Sequence, residues 1–205
     1  MQSARMISRH ALCVHTPWGI ADHCREYAEG ITFYGTPSHG GFKLSPERLA
    51  AMHPALRVPA GWFEEDCEWA KVAFAFPECF TPEQREAAIH TLKDWCPDAY
   101  EAATGETLAP GASYIKDQRL FHEKHAEDWI VISAISSDQH PGQVECIATI
   151  GGKRGEWGKA DPEERRYLVP KAEYDKRGSH GFVINPALHA PYDGQSSFIA
   201  RRASS

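Results

Sequence analysis

His39 stands in Gly35–Ala50, GTPSHGGFKLSPERLA, with Ser38 before it and two glycines behind it. A Ser, a His and adjacent glycine amides are parts of an acyl-transfer site, because HGG-type loops donate backbone amides to an oxyanion in some esterases. Those enzymes also need a G-x-S-x-G elbow, and this chain has none. Neighbours on an extended segment point to opposite sides, so Ser38 and His39 do not act on each other. His39 has better partners in Trp62–Glu68, WFEEDCE. Cys67 could form a Cys–His pair with it, activated by a helix N-terminus. Four carboxylates, Glu64, Glu65, Asp66 and Glu68, surround that thiol and oppose its ionisation. The same carboxylates can serve as acid/base groups or metal ligands. On a helix Glu64 and Glu68 share a face at i and i+4, and with His39 they could hold a divalent ion.

Two further constellations fall short of their motifs. His122-Glu123-Lys124-His125 resembles a zincin helix, but the second His comes one residue early. The zincin geometry needs both His four apart on one face, with the Glu placed as base. His122 and His125 could still share a metal, although no third ligand is evident. Gly151-Gly152-Lys153-Arg154-Gly155 follows a strand-like run and carries two cations. A phosphate-binding P-loop needs a glycine five residues before Gly-Lys and a hydroxyl after it. For Gly158-Lys159 those places hold Lys153 and Ala160. No nucleotide fingerprint is complete, and no cofactor is expected. Trp157 lies in this loop between Glu156 and Gly158, where an exposed indole beside Lys153 and Arg154 suits a contact surface.

The elements that must position these residues are legible in part. ALCVHT, ITFYG and FKL read as strands, with TPWG as a turn and the His39 loop joining a hairpin. Ser45-Pro46-Glu47 is a helix start, with a hydroxyl cap, a proline at the first helical position and an acid at the positive end of the dipole. Phe63, Cys67, Ala70 and Phe74 recur at helical spacing, which predicts an amphipathic helix beginning near Trp62. Thr81-Pro82-Glu83-Gln84 is a capping box, and the helix behind it turns Ala88, Leu92 and Trp95 inward. Residues 113–126 read as helix. WIVISAI, VECIATI, RRYLVP and GFVIN read as strands, the first of them buried, and Lys171–Lys176 as a short helix. The fold class expected is α+β, with antiparallel sheet segments in both halves and a helical middle. The division expected is an N-terminal lobe over 1–108, a sheet-rich lobe over 109–191 and a loose tail over 192–205. Gly and Pro cluster in TGETLAPGA near the first boundary.

The chain has 205 residues and a net charge of −6. The charge is unevenly spread: residues 61–128 hold 6 Lys/Arg against 15 Asp/Glu. Direct nucleic-acid binding through a broad basic face is therefore not expected, whereas an acidic surface facing a basic partner is. No apolar run approaches the roughly 20 residues that span a bilayer, so no membrane association is expected. The first residues lack the apolar segment of a secretory signal, and the six cysteines show no CxxC spacing. Both point to a cytoplasmic protein with free thiols.

TPWGIADHCREYAEGITFYGTPSHGGFKLSPER and GWFEEDCEWAKVAFAFPE resemble an uncharacterised domain family of bacteriophages, plasmids and other mobile elements. DWIVISAIS and RRYLVPKAEYDKRGSHGFVIN resemble the portion that accompanies that domain, so the likeness covers most of residues 16–185. It implies a small cytoplasmic accessory protein that acts on host defence or replication by binding, and it transfers no catalytic role to any residue. Three expectations follow. The first is a non-enzymatic, anti-CRISPR-like inhibitor whose partner is a host protein or protein–nucleic-acid complex, met through Glu64, Glu65, Asp66, Glu68, Lys153, Arg154 and Trp157. The second is a hydrolase or metal-assisted enzyme centred on His39 with Cys67 or Glu64/Glu68, which requires His39 to reach the Trp62–Glu68 segment. The third is a phage structural component.

Overall fold

A computed structural model describes residues 14–198 and the backbone of Met6–Ile7. The strands are β1 (Met6–Ile7), β2 (His15–Thr16), β3 (Gly19–Ile20), β4 (His23–Ala28), β5 (Ile31–Gly35), β6 (Gly40–Leu44), β7 (Trp62–Glu64), β8 (Trp129–Ser136), β9 (Gln143–Ile150) and β10 (Arg165–Pro170). The helices are α1 (Pro46–Ala51), α2 (Trp69–Ala75), α3 (Pro82–Trp95), α4 (Pro97–Thr104), α5 (Tyr114–Lys124) and α6 (Lys171–Tyr174). The fold is α+β and every strand pairing is antiparallel. The chain divides into two compact units between Lys116 and Asp117, against an expected division after residue 108.

The first unit is built on a sheet of order β1-β4-β5-β6-β7. Its core joins Ile31, Phe42, Leu44 and Phe63 from the strands to Val72, Ala73, Ala88, Leu92 and Tyr100 from α2, α3 and α4. The sequence signals for its helix starts hold. Ser45 accepts the Arg48 N–H at the head of α1, with Pro46 in the first position. Thr81 and Gln84 cap α3 reciprocally, Thr81 Oγ1 accepting from Gln84 N and Gln84 Oε1 from Thr81 N. Proline again opens α4, which follows α3 after a single residue and was not expected. Trp95 is 53% exposed rather than inward. At the C-terminus of α3 it stacks against Tyr114, ring centres 5.2 Å apart.

The helix expected from Trp62 is corrected. Trp62–Glu64 is an edge strand, Glu65–Glu68 a turn, and the helix begins at Trp69. Strand pairing overrides the helical spacing because Phe63 faces Phe42 across the ladder and is fully buried there, with half-buried Trp62 and Glu64 alternating to the other side. Two glycines make the junction possible. A Cβ on Gly41 would overlap the Phe63 carbonyl and the Trp18 indole. A Cβ on Gly40 would stand 2.7 Å from Glu65 Oε2 and 2.6 Å from Phe33 Cζ. Only glycine lets those groups come so close.

The second unit holds a sheet of order β10-β9-β8. The buried strand is central β9, not β8 as the apolar run Trp129–Ile135 suggests; in β8 only Ile130 is fully buried. Phe182–Ile184 runs along the outer side of β8 through one bridge, Ile130 to Val183, and does not form a full strand. The described part of the expected loose tail is tied in: Ser197 is 1% exposed and, with Ser196, hydrogen-bonds the buried Glu145. Residues 199–205 and the start of the expected strand over 11–16 lie outside the described residues. No helix among the described residues is long and apolar enough to cross a membrane.

Candidate metal centre at the His39 turn

The β5–β6 hairpin presents His39 at the end of a turn that Thr36 locks from both sides. Thr36 N and Oγ1 donate to the His39 carbonyl at 2.7 and 2.8 Å, and Thr36 Oγ1 accepts the His39 N–H at 3.1 Å. Strand register then brings the acids to it. Glu64 pairs with Gly41, and Glu65 N donates to Gly40 O at 3.0 Å, which places Glu64 and Glu65 beside the two residues after His39. One ligand atom each from His39, Glu64 and Glu65 lies within 4.8 Å of the others. Such spacing lets all three reach one cation.

Glu64 carries the clearest sign of a missing partner. Its Oε2 accepts the Asp66 N–H at 2.8 Å, whereas its Oε1 is buried and has no hydrogen-bond partner. A buried acceptor left unpaired costs roughly 1–3 kcal/mol, and a cation held with His39 and Glu65 would offset it. His39 and Glu65 are exposed and Glu64 is half-buried, so the centre opens to water on one side.

The members of this set differ from those expected. Glu65 takes the place assigned to Glu68. Because Trp62–Glu68 is a strand and turn, the helical i, i+4 pairing of Glu64 and Glu68 does not form. Glu68 instead accepts the Glu64 N–H at 3.3 Å and pairs with Lys71 Nζ at 3.1 Å. Asp66 is exposed in the turn. Cys67 precedes the helix and is not in its first turns. Burial pushes its thiol up, and neighbouring Cys96, Glu64 and Glu68 push it further against the pull of Lys71. Ser38 is exposed, with its N–H donating to Thr36 Oγ1.

A groove of about 260 Å³ adjoins the centre, with Glu65 on its wall. Its other lining residues are Tyr27, Phe33, Phe42, Trp69, Phe80 and Gln84. The rings form a continuous set, with Phe42 5.0 Å from Tyr27, 5.3 Å from Phe33 and 5.7 Å from Phe80 between centroids. Sequence reasoning missed this groove and the part played by Thr36. The groove gathers residues from β4, β5, β6, the turn after β7, α2, the segment before α3 and α3 itself, so no local spacing marks it. The Thr-Pro-Ser-His turn was visible, but not its grip on His39.

The remaining candidates lie in the second unit and do not gather into a centre. His122 Nδ1 is 3.3 Å from Gly151 O, and His125 Nδ1 is 2.7 Å from Asp128 Oδ2. Both rings pack on Phe121. Lys153 and Arg154 are exposed, Arg154 reaching the Ile132 carbonyl, and Trp157 is wholly exposed. Cys24, Cys67, Cys79, Cys96 and Cys146 are free thiols, and Cys13 lies outside the described residues.

No curated protein and no solved structure matches this chain. A domain family does match, over residues 11–126, a span that takes in His39, Glu64, Glu65 and every residue of the aromatic groove. The chain thus belongs to the family described as Domain of unknown function (DUF7007).

Proposed function

We propose that the first unit is a metal-assisted enzyme of hydrolase type that binds one divalent cation through His39, Glu64 and Glu65. The convergence of these three ligands on one point, with Glu64 Oε1 buried and unpaired, carries the reading. It departs from the expectation that the protein uses no cofactor. An imidazole with two carboxylates suits Zn²⁺ or Mn²⁺ rather than a purely oxygen-ligated ion. Three protein ligands leave coordination positions for water and substrate, the arrangement of a catalytic rather than a structural site. A cation there supplies Lewis-acid polarisation and a water ionised near neutral pH. The protein's own part is to fix the imidazole through the Thr36 turn and to hold Glu65 against the groove. Titration calorimetry with Zn²⁺ and Mn²⁺ tests this. Binding is expected at one site per chain and to be lost in His39→Ala and Glu64→Gln, with ligand-linked stabilisation of about 2.7 kcal/mol at a hundredfold excess over Kd. Equal affinity in wild type and both variants would sink it.

A second reading rests on Trp157, which is 104% exposed in a loop carrying Lys153 and Arg154. Large exposed aromatics beside cations are typical anchors of protein contacts. With the resemblance to mobile-element proteins, this supports a cytoplasmic accessory protein that binds a host defence complex, to which Glu65 and Asp66 would present acid to basic surface. Pull-down with a purified CRISPR effector should then weaken at least tenfold on Trp157→Ala, as for an interface hot spot. Undiminished capture by that variant, or no capture at all, removes this reading.

A further inference from the structure

Resting on the metal centre proposed above, we infer that its ligand is a small uncharged aromatic molecule of phenol type, its ring in the aromatic groove and its oxygen on the cation. The shared wall is the first observation. Glu65 belongs to both the cation cluster and the groove lining, and Phe33 and the Glu65 carboxylate meet over Gly40. A ring in the groove therefore has its edge at the cation. The lining rings already pack edge-to-face or tilted on one another, and a further planar ring continues the same geometry. About 260 Å³ suits one or two fused rings, not a larger ligand.

The lining selects among planar ligands. Tyr27, Phe33, Phe42, Trp69 and Phe80 line the groove, and its one charged residue is Glu65. A phosphate ester would bring its charges among those rings and beside a carboxylate, and is disfavoured. A neutral phenol would not: its O–H would ionise on the cation, a metal–oxygen bond replacing one to water, and the proton would leave to solvent. Gln84 adds a polar contact at the rim. Its Oε1 accepts the Thr81 N–H, so the amide N–H₂ is the end it can turn to a ligand substituent.

The probe is 4-nitrophenol, added to full-length protein at a pH just below its own ionisation, where the phenolate band reports the charged form. Zn²⁺-loaded protein should raise that band saturably, with one proton released per neutral probe molecule bound, and metal-free protein should not. Trp69→Leu should weaken probe binding about tenfold while the Zn²⁺ isotherm keeps its wild-type midpoint, and Trp69→Phe should restore most of it. Zn²⁺ binding without probe binding would overturn this inference and leave the metal centre standing. Probe binding that needs no metal, or tighter binding of AMP than of 4-nitrophenol, would overturn it too. Absence of Zn²⁺ and Mn²⁺ binding would remove the metal centre and this inference together.

Discussion

At Glu64 the two carboxylate oxygens live in different surroundings. Oε2 closes the turn by accepting the Asp66 N–H, and Oε1 is buried without a partner. Two residues on, Cys67 shows how burial can disable a group that looks reactive in sequence. A thiol taken from water among carboxylates keeps its proton, and the helix terminus expected to lower it begins only at Trp69. With the thiol raised above its ordinary value of 9.0 by burial and by the charges around it, Cys67 is a neutral thiol at pH 7. Iodoacetamide should alkylate it more slowly than free cysteine at that pH, the rate rising only in alkali. Cys67→Ala should change Zn²⁺ affinity by less than about twofold, because its sulfur is not among the ligand atoms that gather at His39. A tenfold loss in calorimetry would return Cys67 to the centre.

Among the elements, what could be read from sequence is what local chemistry decides. Ser45-Pro46 and Thr81-Pro82-Glu83-Gln84 announce α1 and α3, because caps and first-turn prolines act within four residues. ITFYG and the Gly40–Leu44 run pair as the expected hairpin for the same reason. The stretch behind Trp62 was misread because two periods coexist in it. Phe63 belongs to a strand and Ala70 to a helix, and a single helical face joins them only by coincidence of spacing. That one error moved the second carboxylate from Glu65 to Glu68. His39 and the acidic segment were legible as partners, since both carry ligand or acid–base groups, lie close to glycine and stand outside any completed motif. Which acids face His39 was not, because β6–β7 register decides it across some twenty intervening residues. β8 illustrates the same limit. Its apolar run suggests burial on both faces, yet it lies beside β9 with only the short Phe182–Ile184 segment on its other side.

At the scale of the molecule, each unit has its own core, and the second adds a buried charge to it. Glu145 sits on central β9 with no exposure, paired with Arg166 Nη1 at 3.1 Å and accepting from Ser196 Oγ at 2.7 Å and Ser197 N at 2.8 Å. Burial pushes its carboxyl up, but these hydrogen bonds outweigh burial and hold it below its ordinary value of 4.5. The sign follows from linkage. A carboxyl depressed in the folded state contributes stability that is complete above its unfolded value and lost as pH falls through its folded one. The second unit should therefore weaken below about pH 4.5, and amide exchange in β9 should report it first. The surface carboxylates of the first unit that are also depressed, Glu47, Glu83, Glu101 and Glu106, are screened by water and should give a shallower acid response. Glu145→Gln should remove the acid dependence from β9 and lower stability at neutral pH by about 3 kcal/mol, since it strands Arg166 and two serine donors on a neutral side chain. Ser196→Ala should move the acid limb toward higher pH, because losing the Oγ donor lifts the folded-state carboxyl toward its ordinary value, whereas Ser197 donates to Glu145 through its backbone N–H, which Ser197→Ala keeps. If β9 exchange in Glu145→Gln keeps the wild-type pH profile, the carboxylate is not what couples the end of the chain to the sheet.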